Sequence, residues 1–392
     1  MATYYIKADK FFMPNGVKDG GWLEIKDGFF GGWSKTAPAE GAEIKDYSGQ
    51  WILPGLVETH IHGFLNHDFM DADPEGLKEI SRGLLSCGVT SFLATTLTSG
   101  SSELEKAAEV VSEYADDCEG AKVEGIFFEG PCFTEKHKGA QNPKYFLDPT
   151  VEQFDEWQSA ANGLITKIAI APERDGVLPF IAEMDRRGVK VALGHSDASF
   201  EQARDAVDAG ATLFVHTYNG MSGLNHREPG MVGAAMTSDD AYAEIICDGH
   251  HVHPAAIRTL YNAKGPDHMV LISDCMRAGG MPDGNYTLGE FPVIVGGGTA
   301  RLVDGGSLAG SILKLIDAVK NVVDWGIASA ADAVKMASET AAQANGIADI
   351  CGSIRLGRPA DFLVTTPDLK LEATYLDGEE AYTAPARTEA TA

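Results

Sequence analysis

From Trp51 onward, short apolar runs alternate with amphipathic stretches rich in Ala and Glu. The runs Thr90–Thr98, Lys122–Gly130, Leu164–Glu173, Lys190–His195, Thr212–His216, Ala243–Asp248 and His268–Asp274 are predicted strands, and Trp51–His62 brings the set to eight. Predicted helices lie between them, among them Pro74–Cys87, Ser102–Asp117, Gly176–Arg187, Ser199–Ala209 and Pro254–Ala263. Buried apolar strands alternating with helices imply a parallel sheet. Eight such units over about 280 residues point to a closed (β/α)8 TIM barrel rather than an open sheet.

The two ends of the chain follow a different rhythm. Residues 1–50 alternate at period two, as in Tyr4-Tyr5-Ile6-Lys7-Ala8 and Gly21-Trp22-Leu23-Glu24-Ile25, and residues 352–382 do likewise. Period two is the signature of strands with one buried face. The expectation is a small β-sandwich domain built from both chain termini, bracketing the barrel. The chain then divides into an N-terminal sandwich part (1–50), the barrel (51–350), a C-terminal sandwich part (351–385) and a disordered tail (386–392). Tyr286–Leu302 reads as a hairpin-like insert between the last barrel strand and its helix.

Length and composition fit this plan and narrow the function. The 392 residues suit a barrel of about 250–300 residues plus an accessory module. A formal net charge of −26 argues against nucleic acid or an anionic membrane as partner, because both need clustered positive charge. No stretch approaches the roughly 20 apolar residues of a membrane span, and the N-terminus lacks the apolar core of a secretory signal. Cys87, Cys118, Cys132, Cys247, Cys275 and Cys351 are scattered without a C-x-x-C pair, which suits reduced thiols and a cytoplasmic enzyme.

Candidate chemistry gathers at the C-terminal ends of the predicted strands, where barrel enzymes build their active sites. The first strand ends in His60-Ile61-His62, whose imidazoles share one side of a strand. Glu129 ends the third strand, His195 the fifth, His216 the sixth and Asp274 the eighth. A lone histidine at a strand end is ordinarily a hydrogen-bonding residue, but this ordered set forms a metal site. Imidazole and carboxylate ligands without thiolate suit Zn²⁺, with Fe²⁺, Mn²⁺ or Co²⁺ as alternatives. Such an ion brings the pKa of bound water to about 7 and polarises a carbonyl. Asp274 is then placed to act as general base toward that water and to protonate a leaving amine.

These motifs resemble a known family. PGLVETHIHG (Pro54–Gly63) is similar to the first metal motif of the amidohydrolase superfamily. Within it, FFEGPCF with KGAQNP, GHSDA, HTYNGMSGLNHREPGMVGAA, CDGHHVHP, SDCMRAGGMPDGNY and SLAGS resemble the N-acetylglucosamine-6-phosphate deacetylases over nearly the whole chain. The resemblance implies hydrolysis of the acetamide of a phosphorylated N-acetyl amino sugar. It implies Glu129, His195 and His216 as principal metal ligands, and His60 and His62 as ligands of a second ion bridged by Glu129. It further implies substrate contacts from His251, Asn219 and the Gly220 backbone. Arg227 would reach the phosphate bound by the neighbouring subunit of a homodimer, which is how so acidic a chain could hold an anionic sugar.

Gln141 stands where family members usually carry a sugar-contacting histidine. It keeps hydrogen bonding but not charge, so the galactosamine epimer is the alternative substrate. A different amidohydrolase, acting on cyclic amides or as a deaminase, is a second alternative. Several of these bridge two metals with a carboxylated lysine ending strand four, and Lys167 lies in that strand, several residues before its end at Glu173. A non-enzymatic scaffold is the third, disfavoured because every ligand position is filled.

Overall fold

The computed structural model describes residues 3–385; the tail expected at 386–392 lies outside them. Eight parallel strands form the barrel: Leu56–Ile61, Val89–Thr96, Lys122–Cys132, Ile165–Ile170, Lys190–Leu193, Leu213–Phe214, Tyr242–Ile246 and Met269–Ile272. They pair in chain order. The ring closes just past the ends of its first and last strands, where the Asp274 N–H donates to His60 O (3.0 Å) and the His62 N–H to Cys275 O (2.8 Å). Closure therefore falls among the predicted metal ligands. Every strand sends at least one apolar side chain to a shared interior cluster: Val57, Leu93, Phe127, Ala169, Ala192, Leu213, Ile246 and, from the last strand, Val270 with Ile272. Helices cover the outside, including Pro74–Leu84, Ser101–Tyr114, Val177–Arg186, Phe200–Asp208 and Pro254–His268.

Several strands stop before their predicted ends, for a local reason. His195, His216 and Asp274 adopt φ of 45°, 28° and 50°. An L-residue in this left-handed region cannot continue a strand. The chain turns at each of them and delivers the side chain into the barrel mouth.

Trp51–His62 is not one strand. Glu43–Pro54 and Leu56–Ile61 are separate elements that meet at Gly55. A Cβ at Gly55 would lie 2.0 Å from Thr90 Oγ1, so only glycine fits there. The first element pairs with Phe362–Thr365 near the C-terminus and belongs to the terminal sheet. Both elements are buried around the junction, so their apolar runs merge in the sequence.

The terminal pieces do form one sheet. Eight strands are joined by hydrogen bonds, all antiparallel except Thr3–Met13 with Glu43–Pro54. This sheet folds over on itself. Phe30, on the edge strand Phe29–Ser34, meets Phe362 from the C-terminal part at 6.2 Å between ring centroids, and its N–H donates to Arg358 O at 2.9 Å. The sandwich core lies between the folded halves and includes Ile6, Phe11, Leu23, Ile52, Val364 and Tyr375. Lys122, which opens the third barrel strand, bridges Asp361 (2.9 Å) and Asp377 (2.8 Å) and ties the sheet to the barrel.

The insert has three antiparallel strands rather than a hairpin's two: Gly284–Leu288, Phe291–Gly296 and Thr299–Leu302. It stands over the barrel mouth. Among the described residues no helix is long and apolar enough to cross a membrane, and all six cysteines are free.

Candidate metal centre and active site

Six side chains from five strand ends converge in the barrel mouth: His60, His62, Glu129, His195, His216 and Asp274, all buried. Glu129 is the hub. Its Oε1 lies 3.1 Å from His216 Nε2, 3.2 Å from His195 Nε2 and 3.3 Å from His60 Nε2. Its Oε2 lies 3.3 Å from His62 Nε2. Asp274 Oδ1 sits 3.2 Å from His62 Nε2 and 3.6 Å from His60 Nε2.

The far side of each ring shows what the near side must hold. His195 Nδ1 faces the His137 carbonyl (3.0 Å) and His216 Nδ1 faces the Asn219 carbonyl (3.2 Å). A carbonyl only accepts, so both Nδ1 atoms carry a proton, and in the neutral rings both Nε2 atoms turn a lone pair into the site. Those two Nε2 atoms are 3.1 Å apart and share Glu129 Oε1. Lone pairs crowded onto one carboxylate oxygen repel unless a cation lies between them. The donor set fits a divalent metal.

The other half behaves likewise. His60 Nδ1 faces Glu244 Oε2 at 3.1 Å, and among the described residues its buried Nε2 has no hydrogen-bond partner. Two triads have ligand atoms close enough for one ion each: His60, Glu129 and His216, and His60, His62 and Asp274. Electrostatics agree. Burial opposes charge on His60, but Glu129 and Asp274 outweigh it and hold the imidazole up at about 9. His62 is raised for the same reasons, again against burial. Against burial too, the surrounding histidines hold Glu129 and Asp274 below the usual carboxylate range. Burial pushes His216 down.

A cavity of about 400 Å³ opens over this cluster. Among its walls are His251, Asn219, Gly220 and Gln141 from the predicted substrate residues, with Leu288 and Arg301 from the insert. The Asn219 amide nitrogen is buried without a hydrogen-bond partner among the described residues. Gly220 has a φ of +60°, and a Cβ there would press to 3.0 Å on His195 Nδ1. Its bare backbone is what lets the loop lie against the ligand ring. Asp248 Oδ2 holds His251 Nδ1 at 2.7 Å and leaves Nε2 free.

Two expectations meet a different geometry. Gln141 lines the cavity, yet its amide is committed to the protein: Nε2 donates to Glu129 Oε2, and Oε1 accepts from the Thr98 N–H at 2.9 Å. It braces the hub carboxylate. Arg227 is exposed in a separate cleft with Lys136, Ser199 and Asn225, outside its own chain's cavity. The cation that does line that cavity is Arg301, whose Nη1 donates to Gly306 O at 3.0 Å. The pattern of strand ends could not point to it, because it lies in the insert.

Lys167 does not bridge metals. Its Nζ is paired with Glu244 and donates to Thr59 O at 3.3 Å. With the amine engaged there and Glu129 at the hub, the carboxylated-lysine alternative has no support.

Comparison with known proteins places these features. The Amidohydrolase family model matches residues 51–381. An N-acetylglucosamine-6-phosphate deacetylase of Vibrio furnissii is 43% identical over 85% of this chain and 83% of its own length. An N-acetylgalactosamine-6-phosphate deacetylase of Escherichia coli O157:H7 is 37% identical over 97% of this chain and 99% of its own. The structure of the N-acetyl-D-glucosamine-6-phosphate deacetylase of Mycobacterium smegmatis, in complex with N-acetyl-D-glucosamine-6-phosphate, superposes with a TM-score of 0.93. It is 30% identical, covering 98% of this chain and 100% of that one.

Proposed function

The chain belongs to the amidohydrolase family, and on that premise we propose that it hydrolyses the acetamide of N-acetyl-D-glucosamine 6-phosphate, giving D-glucosamine 6-phosphate and acetate. One observation carries the reading most directly: the Nε2 atoms of His195 and His216, 3.1 Å apart, share Glu129 with His60 and His62 beside a buried Asp274. That is a metal-hydrolase centre in a cavity large enough for one sugar.

Glu129, His195 and His216 would hold the principal ion, and His60, His62 and Asp274 would surround a second; zinc would suit both. A bound divalent ion supplies Lewis-acid polarisation of the amide carbonyl and acidifies water. The chain's own residues do the rest. Asp274, kept ionised among the histidines, removes the proton from the attacking water and returns it to the sugar nitrogen as the C–N bond breaks. Asn219, with its unpartnered amide, and the Gly220 backbone bind the sugar. His251, oriented by Asp248, takes a hydroxyl or phosphate oxygen with its free Nε2. Arg301 supports phosphate binding from within the chain, and Arg227 of the partner subunit supports it across a homodimer. The insert shields the reaction from bulk water. We place the enzyme in the cytoplasm.

Gln141 bears on the choice of epimer. Because its amide braces Glu129 and Thr98, its departure from the usual histidine favours no galacto-specific contact. The test is acetate release from both 6-phosphorylated epimers and from unphosphorylated N-acetylglucosamine, with metal content and molecular mass measured on the same sample. The gluco 6-phosphate is expected to give the highest kcat/KM. A higher value for the galacto sugar would overturn the substrate assignment, and no acetate from metal-loaded protein would overturn the reaction.

A further inference from the structure

Two charged side chains lie deep in the barrel among the apolar residues that fill it. Lys167 and Glu244 are wholly buried and paired with each other. Lys167 stands two residues before Ala169 and Glu244 two before Ile246, on the inward faces of the fourth and seventh barrel strands. A buried ion pair carries a desolvation cost of several kcal/mol per ion that an apolar pair avoids. Its contacts show what it does instead. Lys167 Nζ and the Thr59 hydroxyl both approach Glu244 Oε1, the latter at 3.4 Å. Glu244 Oε2 is left for His60 Nδ1 at 3.1 Å. Phe127 packs against the same group, its ring 4.9 Å from the His60 ring at 89° and 4.0 Å from the Lys167 ammonium.

We propose that the Lys167–Glu244 pair is a positioning device that fixes His60 as its Nδ1–H tautomer, committing the Nε2 lone pair to a metal ion. The proposal rests on the reading of His60 as a ligand. A carboxylate oxygen only accepts, so Nδ1 must donate, and in the neutral ring that a metal ion requires, Nε2 is then the bare nitrogen. Lys167 only donates, so it dictates that the Glu244 atom facing it be an acceptor. In Glu244→Gln, the amide oxygen must then face Lys167 and the NH₂ must face His60. Nδ1 becomes an acceptor, and the proton moves to Nε2, where the ion would sit. In Lys167→Met/Glu244→Gln that constraint is gone. The amide turns its oxygen to His60 and restores the ligand.

The experiment measures Co²⁺ and Zn²⁺ affinity by competition with a chromophoric chelator, and stoichiometry by elemental analysis. Circular dichroism and thermal melting of each full-length variant are recorded alongside. Glu244→Gln is expected to weaken binding about 10–100-fold, as loss of an outer partner typically does, and His60→Asn, which removes the ligand itself, by at least as much. The double variant should recover most of the affinity. If His60→Asn weakens binding and Glu244→Gln does not, the positioning role is wrong. If His60→Asn binds metal as the wild type does, the ligand reading fails and the proposal with it. If Glu244→Gln cannot fold with Lys167 unpaired, Lys167→Met/Glu244→Gln is compared with Lys167→Met/Glu244→Leu. The first should bind about 10–100-fold more tightly; equal binding overturns the tautomer account.

Discussion

The two halves of the metal centre are oriented by different kinds of atom. His195 and His216 are turned by main-chain carbonyls, His137 O and Asn219 O. His60 is turned by a carboxylate that is itself held by a buried lysine, and among the described residues His62 Nδ1 has no hydrogen-bond partner. A backbone acceptor cannot be removed by changing a side chain, and it brings no charge into the core. A side-chain acceptor can be changed by one substitution, and here it needs a second charge to accompany it. The His195/His216 half is therefore built into the chain path. The His60/His62 half depends on a network of side chains.

The largest expected effect lies where the halves meet the substrate. Asp274 Oδ1 lies against the His60/His62 side, at 3.6 and 3.2 Å, yet both halves would serve the proton transfer proposed for it. Asp274→Asn keeps an oxygen in place and removes the base. The kcat is expected to fall about 10²–10⁴-fold while the metal content set by Glu129, His195 and His216 is retained. Steady-state kinetics with elemental analysis check this. An Asn variant with wild-type kcat would remove Asp274 from the chemistry.

A pH titration separates the halves more finely. In metal-free protein the His60 imidazole is held up at about 9 by Glu129 and Asp274 against the opposing effect of burial, whereas burial pushes His216 down. Metal binding must displace a proton from a protonated ligand. As pH falls through about 9, His60 takes up that proton, and affinity on its side should drop roughly tenfold per pH unit for one proton displaced. The His195/His216 side should hold its affinity at neutral pH, because His216 is already neutral there. Metal content after dialysis against a weak chelator between pH 9 and 6 is the measurement. Loss of both equivalents in parallel, or of the His195/His216 ion first, contradicts the difference.

The same contrast explains what the sequence revealed. The convergence of the candidate ligands is legible because the barrel places C-terminal strand ends around one mouth, so position in the apolar pattern stands in for position in space. His60, His62, Glu129, His195, His216 and Asp274 follow from that alone. Their supports do not. Glu244 looks like an interruption of an apolar run, Tyr242–Ile246, and only the register of the closed barrel sets it against His60 and Lys167. A charge in the middle of a strand buried on both faces was the available signal. Carbonyl supports leave no mark in a sequence at all. The split at Gly55 was hidden because apolar residues of two sheets run together. Arg301 was missed because it rises from the insert and not from a strand end.

The smallest expected effect is an absence of change. His137 supplies its carbonyl to His195 at 3.0 Å, while its side chain points away to Asp197, Nε2 to Oδ1 at 3.0 Å. Lys136 shares that carboxylate at 2.8 Å in an exposed cluster. Such surface pairs contribute about 0–1 kcal/mol. His137→Ala keeps the carbonyl and loses only the pair. Metal affinity should therefore stay within about twofold of wild type, with any stability change no larger than that surface contribution. Chelator competition and thermal melting on the same variant test it. If His137→Ala weakened metal binding as much as an outer-partner loss does, about tenfold or more, the His195 half would depend on side chains too. The distinction between the halves would then collapse.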